Sequence, residues 1–238
     1  MTTSDSLNAF LDASTVGTEV LALRPDYRAH LVIVDGITPG PSDAASEALL
    51  SEAENYARTL LEDTPVEELP HIAAWRAAYR GFGAKPQRTR NSLEALTRRA
   101  EAGLPRVNRL TDTYNALSVL NQVPLGGEDL HRYSGAAHLV RATGDEVFDT
   151  TAGGEPVDEY PDQGEVVWTD DTGVTCRRWN WRQARRTQLT DATTAAVFIL
   201  DALDPLTDDA LAAAADALDE RLRRMSDDVR TAHRTLGL

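Results

Sequence analysis

The stretch LTDTYNALSVLNQVPLGGEDLHRY, residues 110–133, decides how the chain folds. At helical spacing Thr111, Asn115, Ser118 and Gln122 fall on one narrow face, while Leu110, Tyr114, Ala116, Leu117, Val119 and Leu120 cover most of the remainder. A helix that is apolar nearly all round is buried. Its polar stripe then needs hydrogen-bond partners inside the protein, in ordered water or in a ligand. Two readings follow: the stripe is one wall of a pocket, or it belongs to a core helix whose Asn and Ser satisfy neighbouring loops. The stretch leaves the helix through Pro124 and the pair Gly126-Gly127, where missing side chains let a ligand approach backbone N–H groups.

Upstream, residues 1–15 read as a polar, weakly ordered or short helical start. The run AHLVIVD, residues 29–35, is apolar on both faces and reads as a buried strand, ended by Gly36 and Pro39-Gly40-Pro41. Residues 42–61 read as a helix capped by Ser42 or Asp43, with Leu49, Ala53, Tyr56, Ala57 and Leu60 as its apolar stripe. A second helix is expected over 66–79, with Pro70 in an early turn, and Gly81-Phe82-Gly83 breaks it. That glycine pair follows a helix and lacks the rest of a phosphate-loop fingerprint. Ser92 is placed to cap a helix over 93–102 that stops at Gly103.

Downstream, the period changes to two. Residues 138–142 and 146–149 read as short strands across a turn at Thr143-Gly144-Asp145, and Gly153-Gly154 with Pro156 and Pro161 as a loop. Residues 165–169 and 174–179 flank Asp170-Asp171-Thr172-Gly173 as a hairpin, and 193–200 is another buried strand. Residues 208–225 form an amphipathic helix with Leu211, Ala215, Leu218, Leu222 and Met225 inward. With no internal repeat or low-complexity linker, the expectation is α+β, a single domain over residues 1–238 with helices outside a largely antiparallel β core.

The formal charge is −14, and Lys85 is the only lysine. Abundant carboxylates with so little lysine look like adaptation to high salt, although a GC-rich genome also favours Arg over Lys. The net charge argues against generic nucleic-acid binding, which draws on a basic surface. The basic residues are nonetheless clustered: Arg76, Arg80, Lys85, Arg88, Arg90, Arg98, Arg99, Arg106 and Arg109 in one stretch, and Arg177, Arg178, Arg182, Arg185 and Arg186 in another. A local basic face is one reading, and solvated arginines are the other. No apolar run is long enough to span a membrane, and the start MTTSDSLNAFLDAS has no basic n-region or long apolar h-region. Together with the single Cys176, which has no partner for an internal disulfide, this makes a cytoplasmic location the expectation.

Catalytic signatures are scarce. His30, His71, His131, His138 and His233 have no metal-ligand spacing, Walker A and GxSxG motifs are absent, and neither a metal nor a cofactor is expected. The pairs Asp170-Asp171 and Asp208-Asp209 sit at an expected turn and helix start, where acids have structural reasons to be. The segment CRRWNWRQARR, residues 176–186, interleaves tryptophans with arginines, which suits base stacking and phosphate contact. On a strand Trp179 and Trp181 share one face, with Asn180 and Arg182 on the other. The competing reading makes the tryptophans core and pairs the arginines with acids.

WRAAYRGFG, the Glu94-Ala95-Leu96 helix, LPRVNRLTDTYNALSVLNQVPLGGEDL, LVRATGDEVF and GEVVWTD, in that order from about 72 to 203, resemble the B3/B4 domain of the phenylalanyl-tRNA synthetase β subunit. They are closer still to stand-alone proteins related to that domain. The resemblance implies a β-sandwich-like core flanked by helices. Asp112, Asn115, Pro124 and Asp129-Leu130 stand where the synthetase has Asp, Asn, Pro and Asp-Leu. That domain hydrolyses tRNA mischarged with tyrosine. Here Tyr114 replaces the usual threonine, and Gly126 stands at the place of a pocket histidine. The family's Gly-Gly-Glu element aligns near Asn180, Trp181 and Arg182, where no glutamate is evident. On that register a carboxylate acceptor and a water-orienting histidine are both missing, so the catalytic residues are unassigned. No ATP-binding ligase core is present in the sequence.

The resemblance therefore implies a tRNA-binding protein that engages an aminoacyl end, with deacylation in trans open. The alternative is a module that binds an amino-acid-like small molecule without RNA. Expected substrate-binding residues are Thr111, Tyr114, Asn115, Ser118, Gly126, Gly127, Asn180, Trp181 and Arg182. Expected RNA-binding residues are Arg76, Arg80, Arg177, Arg178, Arg185 and Arg186.

Overall fold

The structure is a computed structural model that describes residues 3–237; Met1, Thr2 and Leu238 lie outside the described residues. The chain runs α1 (Thr3–Ala13), β1 (Thr15–Val16), α2 (Thr18–Leu23), β2 (Arg28–Asp35) and α3 (Ala44–Leu60), then a 3-10 turn at Val66–Glu68, α4 (Pro70–Gly81), α5 (Ser92–Ala100) and α6 (Arg109–Leu120). Next come β3 (Leu125–Asp129), β4 (His138–Arg141), β5 (Phe148–Ala152), β6 (Glu155–Glu159), β7 (Val166–Thr169), β8 (Val174–Arg177), β9 (Arg182–Gln183) and β10 (Ala195–Ala202). The helix α7 (Asp208–Arg223) and the strand β11 (Arg230–Leu236) complete it.

Alternation within two apolar strands builds the layers. The four-stranded sheet has the order β11-β2-β10-β3, antiparallel throughout. On one face Val32, Val34, Ala196, Phe198 and Leu200 pack against Leu49, Leu50 and Ala53 of α3, Ala116 of α6 and Leu211, Ala215 and Leu218 of α7. On the opposite face Leu31, Ile33, Val197 and Ile199 meet Leu139, Val166, Trp168 and Cys176 of the second sheet. Burying each large apolar side chain in these layers contributes about 1.5–3 kcal/mol.

The second sheet has the order β1-β4-β7-β8-β9, with β1 parallel to β4 and the other pairs antiparallel. The fold is α+β: a β-sandwich-like core with helices outside it. At one end α4 closes the space between the sheets, and its Trp75 meets Trp179 edge-on at 5.3 Å between ring centroids. Among the described residues no helix is long and apolar enough to cross a membrane.

Caps fix the helices that frame the site. Asp43 starts α3, accepting from the N–H groups of Ala45 and Ser46 at 2.9 and 2.8 Å, while Ser46 Oγ accepts from Asp43 N. Asn91, rather than Ser92, caps α5 by accepting from Glu94 N at 2.9 Å, and Asn108 caps α6 through Thr111 N at 2.8 Å.

Several expectations change. Residues 138–142 and 146–149 do not form a hairpin: β4 pairs with β1 and β7, and β5 pairs with β6. Gly153 and Gly154, at φ +61° and +90°, supply the tight turn between β5 and β6 that other residues resist. The 143–145 segment is instead held by the Glu146 carboxylate, which accepts from Thr143 N and Gly144 N. Strand β8 ends at Arg177 because Arg178 and Trp179 take φ of +48° and +69°. Trp179 and Trp181 therefore do not share a strand face.

Candidate functional site

Helix α6 is buried along most of its length, as its composition requires. Its polar stripe divides into separate jobs. Thr111 contributes its backbone N–H to the Asn108 cap, and Ser118 Oγ donates to Val123 O at 2.6 Å in the turn that follows the helix. Gln122 donates to Val119 O at 2.8 Å. Asn115 is 8 % exposed, and its side chain makes none of the described hydrogen bonds. It faces a cavity.

That cavity, about 240 Å³, opens at the seam of the two sheets. Tyr114 and Asn115 of α6 form one side, Ser92 and Leu96 of α5 another. Leu125, Gly126 and Glu128 of β3 with Ile199 and Asp201 of β10 line the four-stranded sheet's side. Opposite them lie Trp168, Cys176 and the turn from Trp179 to Gln183. Tyr114, Asn115, Gly126, Asn180, Trp181 and Arg182, drawn from separate parts of the sequence, thus line one space. Thr111, Ser118 and Gly127 are not among its lining residues. Gly127 is needed for packing: a Cβ there would lie 2.5 Å from Phe198 Cε1. Gly126 is different, since a Cβ there would meet only the Gln183 amide, at 3.0 Å.

The cavity holds carboxylates that the family register does not supply. Glu128 is 2 % and Asp201 is 3 % exposed. Tyr133 Oη donates to Glu128 Oε2 at 2.6 Å. Tyr27 Oη donates to Asp201 Oδ1 at 2.5 Å and Asn180 Nδ2 to Asp201 Oδ2 at 3.2 Å. Asn180 Oδ1 in turn accepts from Tyr79 Oη at 2.9 Å, which sets the amide's orientation. These partners are neutral. Burial pushes Glu128 up to about 7, only partly offset by the Tyr133 hydroxyl, and pushes Asp201 up to about 7 against the hydrogen bonds from Tyr27 and Asn180. Both groups therefore exchange protons near neutrality. Burial raises the Cys176 thiol well above its ordinary value, so it is no thiolate nucleophile.

Unpartnered donors accompany these acids: Ser92 Oγ, Trp168 Nε1 and Arg182 Nε are buried atoms without a protein hydrogen bond. Each belongs to a cavity-lining residue. At the rim the Arg178 and Arg182 guanidinium groups lie 4.7 and 4.6 Å from the Trp181 ring centroid.

The arginines expected to face RNA are mostly engaged with acids. Arg177 makes a bidentate pair with buried Glu165, at 2.9 and 2.8 Å, and reaches Glu159 at 3.0 Å. Arg178 lies 3.4 Å from Glu165, Arg76 pairs with Glu94 at 2.7 Å, Arg185 with Asp149 at 2.9 Å and Arg186 with Asp170 at 2.6 Å. Arg80 is exposed and takes no part in the described ion pairs. The expected basic face is thus largely compensated, because the acidic loops fold back onto it. Asp112 and Asp129 are likewise structural. Asp112 accepts from Val107 N at 2.8 Å and from Ser42 Oγ, and Asp129 from His131 N and Thr193 Oγ1.

Glu128 and Asp201 left a faint trace in the sequence. Asp201 is a lone charge near the end of the apolar run AAVFILDA, and Glu128 shares a strand face with Gly126 once Gly126-Gly127 is read as strand.

The family model described as the B3/4 domain matches residues 74–233. Among solved structures, an N-terminal fragment of the phenylalanyl-tRNA synthetase β-subunit from Pyrococcus horikoshii is similar, with 10% sequence identity and a TM-score of 0.44. The match covers 94% of this chain and 50% of that one, so the chain spans half the fragment's length. No curated protein matches the sequence.

Proposed function

The chain belongs to the B3/4 domain family, and from that premise we propose that its cavity receives the aminoacyl group of an aminoacyl-tRNA end. The supporting observation is the common lining of one cavity by Asn115, Gly126, Asn180, Trp181 and Arg182 together with Glu128 and Asp201. The apolar part of an amino acid fits against Leu125, Trp168 and Ile199. Its donors meet Glu128 and Asp201, and its acceptors meet the Asn115 amide and the free hydrogens of Ser92 and Trp168. Trp181 with its two guanidinium neighbours offers planes for a nucleobase outside the cavity.

Deacylation in trans is the reaction that such a site suits. A carboxylate that titrates near 7 matches what a general base needs at neutral pH. Glu128 and Asp201 are the groups with that property, and their role is to accept a proton from a positioned water while the cavity holds the ester. Positioning supplies the rest.

A specific observation favours a second reading. The ion pairs of Arg76, Arg177, Arg178, Arg185 and Arg186 leave little uncompensated positive charge around the cavity, which suits a binder of free amino-acid-like molecules. Incubation with a panel of mischarged tRNAs at high salt, beside thermal shifts with free amino acids, distinguishes the two. Binding with hydrolysis above buffer supports the editing reading. A thermal shift by a free amino acid with no tRNA retention supports the second, and neither signal would overturn both.

A further inference from the structure

A second cleft lies outside the aminoacyl cavity and is joined to its wall by Arg178. It is lined by Phe82, Gly83, Ala84, Lys85, Arg88 and Thr89 of the α4–α5 connection and by Asp162, Glu165 and Arg178. Its volume is about 400 Å³. Arg178 forms the join: its guanidinium stacks on Trp181, a wall of the first cavity, and its Nη1 donates to Thr89 Oγ1 in the second. The left-handed backbone at Arg178, φ +48°, turns this residue out of the β8 strand to reach both.

The charge of this cleft runs against that of the protein. Glu165 is buried and neutralised by the bidentate guanidinium of Arg177, which does not line the cleft. Arg178 also lies 3.4 Å from that carboxylate, so Lys85 and Arg88 are the cleft's cations outside the described ion pairs, with Asp162 as the remaining acid of the lining, on a chain whose formal charge is −14. Lys85 and Arg88 are exposed and take no part in the described ion pairs, unlike Arg185 and Arg186. The connection is held in shape by backbone bonds from Ala84 N to Tyr79 O and from Arg88 N and Thr89 N to Lys85 O. Two free cations on an ordered loop beside a stacking platform suit an anion.

We infer that this cleft is a phosphate subsite for the single-stranded RNA backbone adjoining the aminoacyl group, with Lys85 and Arg88 as its phosphate contacts. The inference rests on the proposed aminoacyl cavity, and it assigns the RNA contact to a loop rather than to the arginine-rich strand segment. Binding there is electrostatic, so it weakens steeply with salt.

The test uses the full chain and a short labelled single-stranded RNA, titrated across a salt series in which circular dichroism shows the protein folded. Charge reversal in Lys85→Glu/Arg88→Glu should weaken RNA binding at least about tenfold. It should also flatten the plot of log affinity against log salt by about 1.4, at about 0.7 for each of two phosphates. The neutral variant Lys85→Gln/Arg88→Gln should lie between the two. Thermal shifts by free amino acids should stay as in the wild type, because neither residue lines the first cavity. Equal RNA affinity and salt slope in wild type and variants would overturn the subsite, as would an RNA that fails to bind the wild type at all. In either case a retained amino-acid shift or hydrolysis of mischarged tRNA would leave the aminoacyl cavity standing, whereas absence of both in the wild type would mean the cavity reading itself had failed.

Discussion

Two pairs of buried carboxylates in this fold are treated in opposite ways. Glu165 and Asp170, 2 % and 7 % exposed, are each clamped by a guanidinium: Arg177 on the first and Arg186 on the second. Burial alone would raise Asp170, but Arg186 and the N–H groups of Ser134 and Thr172 hold it below the ordinary carboxylate range. Glu128 and Asp201 are just as buried and receive only hydroxyl and amide donors, so both rise to about 7. The first pair is held in ion pairs and serves the fold. The second pair is left able to gain or lose a proton, and it is the pair that lines the cavity.

The largest expected effect is on the clamped side. Arg177→Ala removes the bidentate partner of buried Glu165 and leaves it only the longer Arg178 contact at 3.4 Å, and the expected cost is about 3 kcal/mol. Denaturant melts at constant salt should show it, and a variant as stable as wild type would erase the distinction between the two pairs. On the open side, Gly126→Leu should fill the cavity. Amino-acid affinity, read from thermal shifts, should fall about 100-fold, which is roughly 2.7 kcal/mol, and unchanged binding would place the ligand elsewhere.

The pH dependence of the open carboxylates comes next. Their folded pKa values lie above the ordinary ones, so proton binding favours the folded state at low pH, and this contribution is lost progressively as pH rises from about 4 to about 7. Asp201→Asn or Glu128→Gln removes that loss. Each variant should gain on the order of 1–3 kcal/mol relative to wild type as pH rises from about 5 to about 8, and parallel stability curves would show that the acids are not perturbed. The smallest effects separate two residues of one helix. Asn115→Ala should weaken the ligand about tenfold, or about 1.4 kcal/mol, with little change in melting. Ser118→Ala should cost about 1 kcal/mol of stability and leave binding alone, because its hydroxyl is used by Val123 O.

Much of the fold was legible because its strands carry strong patterns. AHLVIVD and AAVFIL alternate between two buried layers, and the helices around them begin at recognisable caps. What escaped was set by contacts remote in sequence. Strand β3 contains adjacent glycines that look like a loop; the Phe198 ring pressing on Gly127 explains the second of them, and Gly126 faces the cavity. Strand β11 carries Arg and His and is ordered by its pairing with β2 rather than by its own composition. The left-handed turn at Arg178 and Trp179 occupies conformations that non-glycine residues rarely take, so no local pattern announces it. Of the candidate site, Asn115 was visible as a polar group within apolar surroundings, and the 180–182 segment through its interleaved tryptophan and arginine and the family resemblance. Glu128 and Asp201 were not, because their meaning depends on burial without a guanidinium hydrogen bonded to them, which is a property of the folded chain alone.

A crystal structure with a non-hydrolysable aminoacyl-adenosine analogue tests the cavity assignment most directly. The amino-acid moiety is expected among Asn115, Gly126, Glu128 and Asp201, with the adenosine against Trp181. An analogue bound outside that cavity, or a cavity empty of it at saturating concentration, would contradict the account.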